Sequence, residues 1–296
     1  MHGWIIIDKP LGLGSSQAVS AVKRALRQGG YGKCKVGHGG TLDPLATGVL
    51  PIAVGEATKL AGRMLDSDKV YAFTIRFGEQ TDTLDAEGPV IATFDVRPTP
   101  AEVEAVLPRF TGRQAQVPPI YSALKVDGAR AYDLARAGED VVLASRDVTI
   151  HSLVASPVEG DEGRDITLTA HVSKGTYIRS LARDIALALG TVGHVTMLRR
   201  LRAGPFDLAP AISLDKLAEA GMARTLEHLL LPLRAGLDDI PALPLSPDQA
   251  GALRQGRVLT GIAADDGQYF ACEGDTPVAL ISVEGHEARV VRGFNL

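Results

Sequence analysis

The chain predicts an α+β protein, a large mixed-sheet domain followed by a small β module. Three observations carry that expectation. Apolar runs of strand length interleave with helical stretches, without the strict alternation of a βαβ array. The 296 residues are 45% hydrophobic, enough for one large core and a smaller one. Pro232, Gly236, Pro241, Pro244 and Pro247 crowd together, which places a boundary near residues 232–246.

The elements follow from pattern. Residues 4–7 read as a strand, and residues 16–26 as a helix with Val19, Val22 and Leu26 at spacings of three and four. Tyr71, Phe73, Ile75 and Phe77 alternate onto one face of a strand over 71–78. Residues 147–154 and 165–172 are further β segments, and Ala101, Val103 and Leu107 mark a helix over 100–110. Ile178, Leu181, Ile185 and Leu189 form one helical stripe that stops at Gly190. Beyond the boundary, residues 257–259, 269–272, 278–283 and 288–291 read as short strands.

Composition excludes several classes. No run of 18 apolar residues exists and the apolar opening ends at Asp8, so neither a membrane span nor a signal peptide is expected, and the chain reads as soluble and cytoplasmic. Cys34 and Cys272 are too few for a disulfide framework or a zinc motif. Net charge is −4, but cations gather locally. Residues 22–42 hold Lys23, Arg24, Arg27, Lys33 and Lys35 with no carboxylate, and residues 171–206 hold Lys174, Arg179, Arg183, Arg199, Arg200 and Arg202 against Asp184 alone. Such windows suit nucleic-acid phosphates, or else are solvated faces neutralised by acids elsewhere.

The richest stretch is KVGHGGTLDPLATGVLPIAVGEATK, residues 35–59. Gly37, Gly39 and Gly40 permit positive φ or close approach, His38 offers a ring to stack or hydrogen-bond, and Asp43 precedes Pro44. On spacing alone an Asp-Pro pair reads first as a helix or turn cap, with Pro44 at a first helical position.

The surrounding words resemble the tRNA pseudouridine 55 synthases of the TruB type. The motif GHxGxLDPLATGxLPxxxGxATK is met from Gly37 to Lys59. In the family's order follow or precede the words DKPxGxxS (8–15), DSDKxY (66–71), TDTxDxxG (81–88), PPxYSALK (118–125), SKGTYIR (173–179) and LRRLxxGxF (198–206). Gly39 stands where the family usually has Thr, so a hydroxyl partner for RNA is missing. The resemblance implies a mixed, mostly antiparallel central sheet with flanking helices over residues 1–235, a thumb-like insertion at about 121–147, and a PUA-like domain over 240–296. From Gly236 to Leu296 the tail holds four Arg or Lys against nine Asp or Glu, so an RNA role for it is as open as a structural one.

The implied reaction breaks the N1 to C1′ bond of a uridine, turns the base and rejoins it through C5, with no cofactor. By resemblance Asp43 is the catalytic aspartate, with attack on C1′ and removal of the C2′ hydrogen both open, and Arg179 is its ion-pair partner. A cation near the start of the expected helix is itself disfavoured by the helix dipole, which argues for a compensating charge. Tyr71 stacks on the uracil, Tyr177 and Leu198 line the pocket, and His38 enters the T loop where the flipped bases lay. Lys9, Lys125, Arg130, Arg136 and Arg146 approach the RNA backbone. The partner implied is the T-stem loop of tRNA; no metal, membrane or nucleotide cofactor is expected, and the chain is expected to be a monomer. Two other readings stay open. Gly12-Leu13-Gly14 opens a dinucleotide fingerprint that fails at Gln17, and a non-catalytic tRNA-folding chaperone would use the same groove.

Overall fold

In the computed structural model residues 1–122, 143–156 and 165–296 are described, with the backbone alone at 125–126 and 129–130. Nine strands build the main sheet: β1 (Gly3–Lys9), β2 (Val36–His38), β3 (Ala46–Val54), β4 (Lys69–Phe77), β5 (Gly112–Gln116), β6 (Arg146–Ser156), β7 (Asp165–Val172), β8 (Gly193–Ala203) and β9 (Leu231–Pro232). Their order is β9-β1-β3-β8-β4-β7-β6-β5, with β2 added beside β3. Every pairing is antiparallel except β3 with β8, so the sheet is mixed and mostly antiparallel.

The two halves of the sheet are covered differently, and the sequence pattern shows why. β1 and β3 are near-continuous apolar runs because both their faces are buried. Ile5, Ile7, Leu50 and Ile52 pack under α1 (Ser15–Gln28) and α5 (Leu214–Ala223), while Trp4, Ile6, Val49 and Ala53 face a second cluster with Met64 of α2 (Ala61–Asp66), Phe206, Leu233 and Leu237. β4 and β7 alternate instead. Phe73, Ile75, Phe77, Ile166 and Leu168 pack under α3 (Pro100–Val106) and α4 (Ile178–Ala188), and the opposite face carries Thr74 bonded to Thr167 and Arg76 paired with Asp165. Fully burying one such aliphatic or aromatic side chain contributes about 1.5–3 kcal/mol. Tyr71 and Leu198 pack against both helix-covered clusters, and so mark the seam between them at the middle of the sheet.

Several elements depart from the sequence expectation. Residues 44–45 form a turn and Ala46 begins β3, so Asp43 caps no helix; β-branched and small residues paired on both sides outweigh the Asp-Pro signal. The long strand β8 carries the LRRLxxGxF word, and α5 and α6 (Pro247–Arg254) were not evident from pattern. α3 ends at Val106 and continues as a 3-10 turn, because Pro108 cannot sustain the α ladder.

Residues 242–293 form a separate four-stranded sheet of β10 (Ala242–Pro244), β11 (Gly267–Glu273), β12 (Thr276–Glu284) and β13 (Glu287–Gly293), with α6 and its own core. Residues 257–259 contribute a single bridge, Leu259 to Ala288, rather than a strand. The module docks on the large domain by its last residues: Phe294 enters the Trp4 cluster, and Lys59 Nζ donates to the Gly293 carbonyl at 2.8 Å. Among the described residues no helix is long and apolar enough to cross a membrane.

Candidate active site

The loop from Gly40 to Pro44, between β2 and β3, is held at almost every residue by a side chain from elsewhere. Arg200 on β8 is 1% exposed; its guanidinium donates to the carbonyls of Gly40, Thr41 and Val49 at 3.1, 3.2 and 2.8 Å. Ser15, at the start of α1, exchanges hydrogen bonds with Leu42: its Oγ accepts from Leu42 N–H at 2.9 Å and donates to Leu42 O at 3.0 Å. Lys9, at the end of β1, donates to the carbonyls of Leu13, Pro10 and Pro44. The Gly12 N–H donates to the same Pro44 carbonyl at 2.8 Å. β3 and β8 come together here because Gly48 has φ +100° and a Cβ on it would lie 2.2 Å from the Arg200 carbonyl, so only glycine fits. A carboxylate on such a clamped loop is pre-positioned, and pre-positioning is where much of an enzyme's advantage comes from.

Asp43 projects from this loop, its side chain 50% exposed, and its Oδ2 accepts from Arg179 Nη2 at 3.2 Å. Arg179 is the second residue of α4 and its side chain is only 9% exposed. The same guanidinium donates to the carbonyls of Thr83 and Tyr121, each at 3.0 Å, and Nη1 lies 3.3 Å from Asp85 Oδ2. Two carboxylates thus compensate the cation that the helix dipole disfavours. The buried one is Asp85, 10% exposed, and not Asp43. The loop of residues 81–88 secures Asp85: Thr83 Oγ1 and the Glu87 N–H both donate to Asp85 Oδ1, and Thr81 Oγ1 donates to the Asp85 carbonyl.

Asp43, Asp85 and Arg179 sit in a cleft of about 590 Å³ whose walls include Tyr71, Tyr177 and Leu198. Tyr177 caps the N-terminus of α4, held by a two-way hydrogen bond with Gln116, and the Arg146 guanidinium lies 5.7 Å over its ring. The cleft joins a charged triplet to aromatic and aliphatic walls, an arrangement that holds a flat heterocycle while a carboxylate works at its edge.

The remaining expected site residues fall differently. Lys9, expected at an RNA backbone, is fully buried and its ammonium is spent on three carbonyls, so it holds the Asp43 loop instead. Burial pulls its pKa down to about 8, with Asp43 raising it in part. His38 is half-buried on β2, outside the lining of the cleft, and its Nδ1 is buried without a partner. Burial, and secondarily Arg200, lower its pKa. Next to it, a Cβ on Gly39 would lie 2.6 Å from Met64 Cβ, so Met64 occupies the space a threonine would need. The side chains of Lys125, Arg130 and Arg136 lie outside the described residues. Asp85 and Arg200 were not singled out from the sequence as site residues. The TDTxDxxG and LRRLxxGxF words were the available signals, but neither says which side chain turns inward.

Known proteins resemble this chain along its whole length. The family model for TruB family pseudouridylate synthase (N terminal domain) matches residues 24–178, and that for the tRNA pseudouridylate synthase B C-terminal domain matches residues 179–238. The chain is 68% identical to the tRNA pseudouridine synthase B of Novosphingobium aromaticivorans, across 100% of this chain and 98% of the relative. It is 62% identical to that of Zymomonas mobilis, across 100% and 96%. Among solved structures, a chain in a Cbf5-Nop10-Gar1 complex superposes with a TM-score of 0.75 at 26% identity, covering 99% of this chain and 85% of that one.

Proposed function

The chain belongs to the TruB family of pseudouridylate synthases, and from that premise we infer that it isomerises uridine to pseudouridine in tRNA. We propose the T-loop uridine at position 55 as the target and Asp43 as the group that acts at its ribose. The observation that carries the assignment is the ion pair of Asp43 with a buried arginine inside a cleft walled by Tyr71, Tyr177 and Leu198. A uridine inside a folded loop must be extruded to reach that cleft, which costs a few kcal/mol. Stacking on one aromatic ring returns roughly 1–3 kcal/mol. In this reading Tyr71 supplies the stacking face and Leu198 and Tyr177 confine the detached uracil. Asp43, held by Arg179, meets the sugar either as a nucleophile at C1′ or as the base for the C2′ hydrogen.

The half-exposed Asp43 suits this role, since its carboxylate is open to the cleft while its cation is anchored behind it. In the same reading His38, outside the lining of the cleft, contacts the RNA around the extruded nucleotide. Residues 240–296 serve as a PUA-like module, and the enzyme works in the cytoplasm on tRNA as a monomer without a cofactor. The test is to incubate the protein with an unmodified tRNA transcript and map the isomerised uridine. A single product at the T-loop position is expected, and isomerisation elsewhere would overturn the target. Asp43→Asn should keep tRNA affinity within a few-fold and lower product formation by a factor on the order of 10⁴ or more, as loss of a reacting group does. Undiminished product in that variant would remove Asp43 from the chemistry.

A further inference from the structure

The solvent-facing side of the large sheet carries a cluster that the reaction does not use. Asp68, one residue before β4, meets His151 from β6 and His171 from β7. Both imidazoles point at one oxygen: His151 Nε2 lies 3.1 Å and His171 Nε2 3.7 Å from Asp68 Oδ2. The two ring centroids are 4.6 Å apart, and the three donor atoms all fall within 4.8 Å of one another. Around a tetrahedral zinc ion with bonds of about 2.0–2.2 Å, neighbouring ligand atoms are about 3.3–3.5 Å apart. The two measured edges bracket that value. The backbone contributes to the convergence, because the pairing of β6 with β7 shifts register between Ile150 and Ser152, and a bulge of this kind re-aims the residue it displaces.

We propose that Asp68, His151 and His171 bind a divalent first-row transition ion, with Zn²⁺ as the best fit. Two neutral imidazoles and one carboxylate select this class over Mg²⁺ or Ca²⁺, which take oxygen ligands. The three side chains are 30–45% exposed, so an ion can reach them. Three protein ligands leave a coordination position open. Asp68 and His171 also line a cavity of about 680 Å³ with Arg63, Asp66, Arg202 and Asp207, which leaves room for a water or another oxygen ligand. One contact opposes binding: Arg202 Nη2 donates to His171 Nε2 at 3.2 Å, the same nitrogen the ion requires. The ion would tie the segment leading into Tyr71 to β7 and, beyond it, to β6. Neither the motif words nor the spacing of these residues pointed to it, because the ligands come from three separate segments.

The experiment is a titration of tag-free, chelator-treated protein with Co²⁺, followed by the visible absorption of a low-coordinate site, then displacement by Zn²⁺. One saturable site per chain is expected. The His151→Gln and His171→Gln variants should each weaken it at least tenfold, as loss of a ligand does. Arg202→Met should tighten it, and Zn²⁺ should raise the melting temperature of the parent but not of the double His variant. Should the variants fold poorly, Zn²⁺-induced shifts of the two His ring-proton resonances in the parent protein supply the same reading. Identical Co²⁺ spectra in the parent and a folded double variant would overturn the site. So would protection by inorganic phosphate, lost in the same variants, with no response to either metal, since that would assign the cluster to an anion.

Discussion

Residues 22–42 hold five cations and residues 171–206 hold six, and the fold puts the two groups to opposite use. In the first, Lys23, Arg24, Arg27, Lys33 and Lys35 are exposed along and after α1, and none has an ion pair among the described residues. In the second, Arg179 and Arg200 are buried, Arg199 pairs with Asp8, Arg183 with Asp184 and Lys174 with Asp66, and Arg202 meets His171. The difference teaches that a count of cations does not identify a phosphate-binding surface. Two of the second group, Arg179 and Arg200, build the site from within and the other four are engaged by nearby side chains, while the first group remains available to an anionic partner.

The sharpest way to break this contrast is at the buried arginines. Arg179→Ala removes the cation beside Asp85, a carboxylate whose side chain is only 10% exposed. Breaking such a pair should cost about 3–5 kcal/mol of stability, read by denaturant unfolding. Product formation should fall by about 10²–10³ in single-turnover assays, since the oriented charge beside Asp43 is lost. A variant as stable as the parent would mean that Asp85 finds another partner. Arg200→Ala is expected next in size. Three carbonyls lose their donor, for about 3 kcal/mol in total, and the loosened Gly40–Thr41 segment should lower turnover without abolishing tRNA binding. Arg200→Lys should not rescue it, because a single ammonium nitrogen cannot reproduce the planar fork whose Nε, Nη1 and Nη2 reach Val49, Thr41 and Gly40 separately.

The exposed stretch gives the converse. Replacing Lys23, Arg24 and Arg27 together by Gln should leave unfolding within about 0.5 kcal/mol of the parent, as surface changes do. The slope of log affinity for tRNA against log salt should fall by about 0.7–0.9 for each phosphate contact removed. An unchanged slope would take α1 away from the RNA. The smallest effect concerns His38. Its folded pKa is lowered below the ordinary 6.5, so the unfolded chain takes up a proton more readily, and stability should fall as pH drops through 6.5. His38→Gln should flatten that decline; an equally steep profile would assign it to His2 or His171, whose pKa values burial also lowers.

What could be read in advance were features with a local cause. The alternation of Tyr71, Phe73, Ile75 and Phe77 reflects a sheet covered on one face, and the stripe of Ile178, Leu181 and Ile185 reflects a helix lying on that sheet, so both elements were legible. Asp43 and Arg179 were legible from the words around them, and the fold sets them 3.2 Å apart. The turn after Asp43 was legible from the Asp-Pro pair, but the strand that begins at Ala46 in place of a helix was not, because the pairing of β3 with β1 and β8 is not local.

By itself, the sequence determined the α+β class and the family and pointed to a boundary and to Asp43, because each rests on periodicity or on a contiguous word. Only the tertiary structure decided that Lys9 and Arg200 face inward, that Asp85 is the buried counter-charge, and that two histidines converge on Asp68. Burial and ion pairing depend on which distant segments the sheet order brings together, and no short stretch of sequence encodes that order.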